Sequence, residues 1–254
     1  MFQQVCMTIR ESIYGVKCAT PIGNNQANIS TGTGFMIAPS VIAMAAHGVH
    51  FENDINKAVH QSFEVIRAPD VGQALERAQL IAEDTAKDIA LLRLENPRSI
   101  QSVILEPNIL SIGTSCGSLG FPLAFINPMG VFTLLLRFQG AFISAYSREP
   151  LPSGGIYEYY ETDSLMYNGA SGCPGFILNG HVFGMHNKSR VSLPQSIIQP
   201  MPQSRQQRRQ QMRHRQRVQS NRPIQNRPTD RIAISLWVPS TQILAFARAN
   251  GINL

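Results

Sequence analysis

Three side chains in this sequence are of the types that together transfer an acyl group: His47, Asp88 and Ser171. Ser171 lies in Tyr167-Asn168-Gly169-Ala170-Ser171-Gly172-Cys173-Pro174-Gly175-Phe176, a serine among glycines with a proline just beyond it. A serine hydroxyl attacks a carbonyl only when it projects from a tight turn beside a base. Glycine at 169 frees the backbone so that its N–H and that of Ser171 can point at one spot, an oxyanion hole for a tetrahedral intermediate. Gly-x-Ser-Gly is also a common turn. The hydrolase elbow Gly-x-Ser-x-Gly is excluded, because Cys173 stands where that motif needs glycine. The weight therefore falls on the other two residues. His47 closes the apolar run Val41–Ala46, and Asp88 heads the apolar run Ile89–Leu94. A carboxylate entering a core strand is costly unless paired, and a histidine is its natural partner.

The elements that must carry these residues read as short strands. Val5–Lys17 is rich in β-branched and apolar residues and predicts a strand. The next two, on either side of Pro39-Ser40, form a hairpin with His47 at its exit. Residues 71–82 carry helical character. Beyond them, Leu110–Gly113, Val131–Phe138, Gly140–Tyr146, Tyr157–Thr162, His181–His186 and Ile232–Val238 repeat the short-strand pattern with Gly and Pro between. Such spacing predicts an all-β sandwich or pair of barrels. Ser240–Ala249 predicts a closing helix capped by Ser240 or Thr241.

A chain of 254 residues can bury a full core, and no stretch approaches a membrane span. Met1–Cys6 lacks the basic patch and apolar core of a secretory leader, which predicts a cytoplasmic location. Cys6, Cys18, Cys116 and Cys173 have no metal-ligand spacing and are expected as free, mostly buried thiols; Cys173 is a packed thiol rather than the nucleophile. The net charge of +6 is carried by one segment: Arg205, Arg208, Arg209, Arg213, Arg215, Arg217, Arg222 and Arg227. Without those eight, fourteen basic residues face sixteen acidic ones. Residues 189–231 are too rich in Gln, Arg and Pro to bury a core and are expected to be a disordered insertion, with a short helix near Arg205–Val218.

The order of these motifs resembles the trypsin-like (chymotrypsin-fold) serine peptidases, nearest to the HtrA-type and glutamyl-endopeptidase branches and without a PDZ domain. The resemblance rests on Gly32-Thr33-Gly34-Phe35 leading to Ala45-Ala46-His47, Asp88–Leu92, and Thr162-Asp163 ahead of Gly169-Ala170-Ser171-Gly172. Gly120-Phe121-Pro122, Gly180–Met185 and Trp237–Ser240 add to it. It implies two six-stranded antiparallel β-barrels, residues 1–107 with His47 and Asp88 and residues 108–254 with Ser171. It further implies hydrolysis of peptide bonds by a Ser171-His47-Asp88 triad with no metal or organic cofactor. The oxyanion donors would be the N–H groups of Gly169 and Ser171. By the same resemblance Met166 and His186 wall the pocket for the residue before the scissile bond, His186 standing where relatives bind Glu or Gln; a structural histidine satisfied by backbone in the barrel core is the other reading. Asn187, Lys188 and Ser189 would form the edge that pairs with a peptide substrate. Ala170 replaces the usual polar residue before the nucleophile, and no Ile-Val-Gly-Gly start is present. Two other readings remain open: a binding module of this fold that no longer cleaves, and a protein acting on nucleic acid or an acidic partner through Arg205–Arg227. Oligomeric state is left open.

Overall fold

The structure is a computed structural model that describes residues 2–24, 26–99, 101–126, 132–150, 155–164, 166, 169–192 and 232–254. A helix, α1 (Gln3–Ile9), and a 3-10 turn (Arg10–Ser12) lead into six strands. These are β1 (Ile13–Gly23), β2 (Gln26–Ala38), β3 (Val41–Met44), β4 (Ser62–Arg67), β5 (Glu76–Asp84) and β6 (Ile89–Leu94). They close into an antiparallel barrel in the order β1-β2-β3-β6-β5-β4. β7 (Ser115–Gly120) begins the second half, followed by a two-stranded ribbon of β8 (Phe125–Ile126) and β9 (Phe132–Thr133). Then come β10 (Arg137–Pro150), β11 (Ile156–Thr162), β12 (Pro174–Ile177), β13 (Val182–Ser192), β14 (Ile232–Pro239) and helix α2 (Ser240–Ala249). β10, β11, β14, β13, β12 and β7 close the second barrel in that order. Both barrels belong to one compact unit, residues 1–190 and 234–254. Residues 191–233 cluster separately; the predicted helix at Arg205–Val218 and the arginine segment lie outside the described residues.

Each barrel has its own apolar filling. Tyr14, Val16, Met36, Ile42, Met44 and Leu92 fill the first, and Ile143, Tyr160, Phe183 and Trp237 the second. A third cluster joins them: Phe35 and Leu91 from the first barrel meet Leu119, Phe121, Phe176, Met185 and Val238 from the second, with Ile243 and Ala247 of α2. Each of the larger side chains contributes about 1.5–3 kcal/mol of burial, so the two barrels are held as one body.

Several expected elements differ. Residues 3–9 are helix, not strand: Phe2, Val5, Cys6 and Ile9 recur at helical spacing and pack on the joining cluster. The strand starts only at Ile13. The helical character expected at 71–82 gives way to β5, whose Ala78 and Leu80 pair with Leu94 and Leu92. Closing the barrel outweighs the helix preference of its Ala, Gln, Glu and Arg residues. Leu110–Gly113 is not a strand but leads into a turn at Gly113 (φ 85°), and pairing begins at Ser115. Val131 lies outside the described residues, and the rest of its expected strand divides between β9 and the start of β10. Neither Ser240 nor Thr241 caps α2 with its side chain; the Ser240 hydroxyl donates to the Glu106 carbonyl instead. The hairpin at Pro39-Ser40 stands, with Ser40 in the left-handed region (φ 67°). All four cysteines are free.

Candidate active site

His47 sits in the 3-10 turn Ala46–Val49 that leaves β3. Ala45 and Ala46 are fully buried there, and Gly48 approaches Met44 so closely that a Cβ would lie 2.9 Å from its terminal methyl. Asp88 faces it from the entry to β6, after a turn that Asp84 closes by accepting the Lys87 N–H at 3.0 Å. Asp88 holds φ 59°, a conformation that a short polar residue tolerates better than a bulky one. Three hydrogen bonds fix it. Its two carboxylate oxygens accept the backbone N–H of His47 (2.7 Å) and Nδ1–H of the same residue (2.8 Å), and its carbonyl accepts the N–H of Ala46 (3.2 Å). A carboxylate can only accept, so this contact places the imidazole proton on Nδ1 and leaves Nε2 as a base. Nε2 has no hydrogen-bond partner among the described residues.

The serine turn belongs to the second barrel but is anchored by the first. Thr33 of β2 donates its N–H to the Ser171 carbonyl (3.0 Å) and its hydroxyl to the Gly169 carbonyl (3.1 Å), and that hydroxyl accepts the Phe121 N–H (3.0 Å). Two glycines make this approach possible. A Cβ at Gly172 (φ 85°) would fall 1.9 Å from the Thr33 carbonyl oxygen, and one at Gly169 (φ 87°) 2.9 Å from that of Phe121. Among the described residues, the N–H groups of Gly169 and Ser171 donate to no acceptor. The Ser171 hydroxyl donates to the Asn187 carbonyl at 3.3 Å, and no hydrogen bond joins it to His47. Nucleophile–base contacts in unliganded sites are often loose in this way and tighten with substrate. Cys173 is fully buried and its thiol is pushed up to about 12 by burial, so it takes no part as a nucleophile.

His47 and Ser171 line one cleft of about 790 Å³, and Gly169, Met166, His186, Asn187 and Lys188 line it with them. His186 is 3% exposed and set edge-on against Trp237, ring centroids 5.2 Å apart. Its Nε2 lies 3.4 Å from the Ser189 hydroxyl and its Nδ1 makes no well-formed hydrogen bond. Burial first, and the neighbouring His47 second, hold its pKa down to about 3, so the ring is neutral. Asn187 is buried, and its side-chain amide donates to the Tyr157 hydroxyl at 2.8 Å. Ser189 was expected at the cleft edge; Thr33 and Tyr157 were given no role from the sequence. Only Thr33 carried a signal, as the residue between Gly32 and Gly34.

Paired six-stranded barrels, a histidine–aspartate pair on one and a glycine-framed serine on the other, define the chymotrypsin-like class. The chain belongs to the trypsin-like peptidase domain family, whose model matches residues 32–185. It is similar to the periplasmic pH-dependent serine endoprotease DegQ of Escherichia coli, 28% identical over 151 residues, 59% of this chain and 30% of that protein. A probable periplasmic DegP-like serine endoprotease of Halomonas elongata is 25% identical over 167 residues, 65% of this chain and 31% of that protein. The chain thus spans less than a third of these relatives. Among solved structures, the active form of the Rv3671c protease of M. tuberculosis shares the fold (TM-score 0.61, 17% identity, 98% of this chain and 85% of that one). The cytoplasmic location expected from Met1–Cys6 is corrected by these comparisons, because the curated relatives are periplasmic proteases.

Proposed function

We propose that this chain is a serine endopeptidase in which Ser171 attacks the scissile carbonyl, His47 takes its proton and Asp88 orients His47. The observation that carries the reading is the 2.8 Å contact between His47 Nδ1 and Asp88, with Nε2 left unpartnered in the cleft that Ser171 also lines. On this reading the Ser171 hydroxyl gives up the Asn187 carbonyl and donates to that nitrogen when a substrate binds. Attack forms the C–O bond and moves the carbonyl electrons onto oxygen, where the N–H groups of Gly169 and Ser171 stabilise the charge. The imidazolium then returns the proton to the leaving amine, and water repeats the sequence to release the acid. On this reading the barrels of residues 1–107 and 108–254 act as the two catalytic domains, and the substrates are proteins or peptides. The test is labelling of the purified protein with a fluorophosphonate. Modification at Ser171, lost together with peptide cleavage in Ser171→Ala, is the expected result; labelling that persists in that variant sinks the assignment.

The pocket beside Ser171 has one apolar wall, Met166, and two uncharged polar groups, the His186 ring and the Ser189 hydroxyl. A neutral imidazole suits an amide better than a carboxylate, which would require the buried ring to take a charge. Glutamine is therefore the expected residue before the scissile bond, with glutamate favoured only at acid pH. Profiling a peptide library decides it. A preference for small aliphatic residues that His186→Ala leaves unaltered removes the idea.

A further inference from the structure

We infer that the cleft edge selects peptides with acidic side chains at the second and fourth positions before the scissile bond, read by Lys188 and Arg190. This rests on the peptidase reading above and adds the substrate's charge pattern to it. The pairing of β13 with β12 ends at Met185, and the adjoining bonds of His186, to Gly172 and Cys173, close that side of the strand. Past that point, as far as Arg190, no backbone hydrogen bond joins β13 to another described residue on its β12 side. A peptide whose scissile carbonyl reaches Ser171 must lie beside Asn187, because the Ser171 hydroxyl is 3.3 Å from the Asn187 carbonyl. The strand is already paired in the direction of His186, so the peptide's preceding residues run along Lys188, Ser189 and Arg190.

That register fixes which side chains meet. Residues directly opposite in an antiparallel pair point to the same face, and faces alternate at every residue. The residue before the scissile bond and the third before it then share the face of Asn187 and Ser189. The second and fourth share the face of Lys188 and Arg190. Burial follows this alternation: Asn187 is buried and Ser189 partly so, while Lys188 and Arg190 are exposed. Lys188 also lines a second cavity of about 450 Å³, together with His47, Asp88 and Asn187, on the side where the second side chain falls.

The nearby acids leave both cations available. Asp88 is committed to His47, Glu158 to Arg148 and Glu149 to the Tyr159 hydroxyl. Asp54, which also lines the second cavity, accepts two hydrogen bonds from Asn56. Among the described residues, neither Lys188 nor Arg190 has an acidic partner; Arg190 lies over the Tyr159 ring, 5.8 Å from its centroid.

Exposed ion pairs of this kind are worth about three- to fivefold each, so two correctly spaced acids favour cleavage by about tenfold. The experiment uses the full chain and four peptides sharing one cleavage site. One is neutral, one has acids at the second and fourth positions before the bond, one at the third and fifth, and one has lysines at the second and fourth. The expected order of kcat/KM is the second-and-fourth acidic peptide first and the lysine peptide last. The advantage shrinks severalfold in about 1 M salt, where charges are screened within about 3 Å. Replacing Lys188 and Arg190 together by Glu is expected to reverse the ratio between acidic and lysine peptides. Acids that help equally in both registers overturn the inference, since they show a diffuse field such as that of the arginine-rich segment. So does an unreversed ratio in the double variant. Equal cleavage of all four peptides refutes this inference alone, whereas no cleavage and no labelling of Ser171 refutes the peptidase reading with it.

Discussion

Acid should destabilise this protein through His186 in particular. The ring is 3% exposed and holds its pKa at about 3 because burial penalises the charged form. In the unfolded chain the same ring titrates at about 6.5. The folded state therefore binds this proton less well than the unfolded one, and stability present above about pH 6.5 is lost as pH falls toward about 3. At about 1.36 kcal/mol for each unit of separation, the loss is about 2 kcal/mol at pH 5 and about 3 kcal/mol at pH 4. His60 is also shifted down by burial, and Asp54, Asp70 and Glu106 sit below their usual values, so the whole protein loses stability in acid for several reasons. A comparison of wild type with His186→Gln cancels those shared terms. Urea denaturation of both at about pH 8 and pH 5 should show the wild type losing about 2 kcal/mol more than the variant. In thermal melts the excess is about 4–8 °C for a chain of this size. Equal losses in the two proteins would refute the argument, and would mean that the ring takes its proton in the folded state at ordinary pH.

Three further outcomes follow from the geometry. Thr33→Val leaves the Phe121 N–H and the Gly169 carbonyl without their partner, so a loss of about 1–3 kcal/mol in denaturation is expected, with a fall in kcat larger than any change in KM. Gly172→Ala puts a methyl 1.9 Å from the Thr33 carbonyl oxygen at a positive φ; poor soluble yield or a loss above about 4 kcal/mol is expected, and a stable, active variant would contradict the packing described. Asp88→Asn keeps the shape but supports the wrong imidazole tautomer, and stopped-assay rates should drop by about 10⁴ with near-native melting.

Much of the site was legible because its chemistry lies in local motifs. A serine between glycines, a histidine closing an apolar run and an aspartate opening one each announce a turn or strand end, and the barrels bring all three to the cleft region. Short apolar runs with Gly and Pro between them also declared an all-β fold. Two local readings failed where contacts distant in sequence decided the outcome. Residues 71–82 carry helical character, yet from Glu76 the chain became a strand because β4 and β6 needed a neighbour to close the barrel. Val5–Lys17 looks strand-like throughout until the apolar face of a helix over its first residues is seen against the joining cluster, with Phe2 on Phe176. Thr33 shows the same division within the site. Its glycine neighbours mark a place where backbones approach closely, yet which backbone approaches is set by the packing of one barrel on the other. Likewise, the types of Asn187, Lys188, Ser189 and Arg190 are written in the sequence. Which of them face the core and which face a substrate strand depends on where β13 stops pairing, a property of the folded sheet alone.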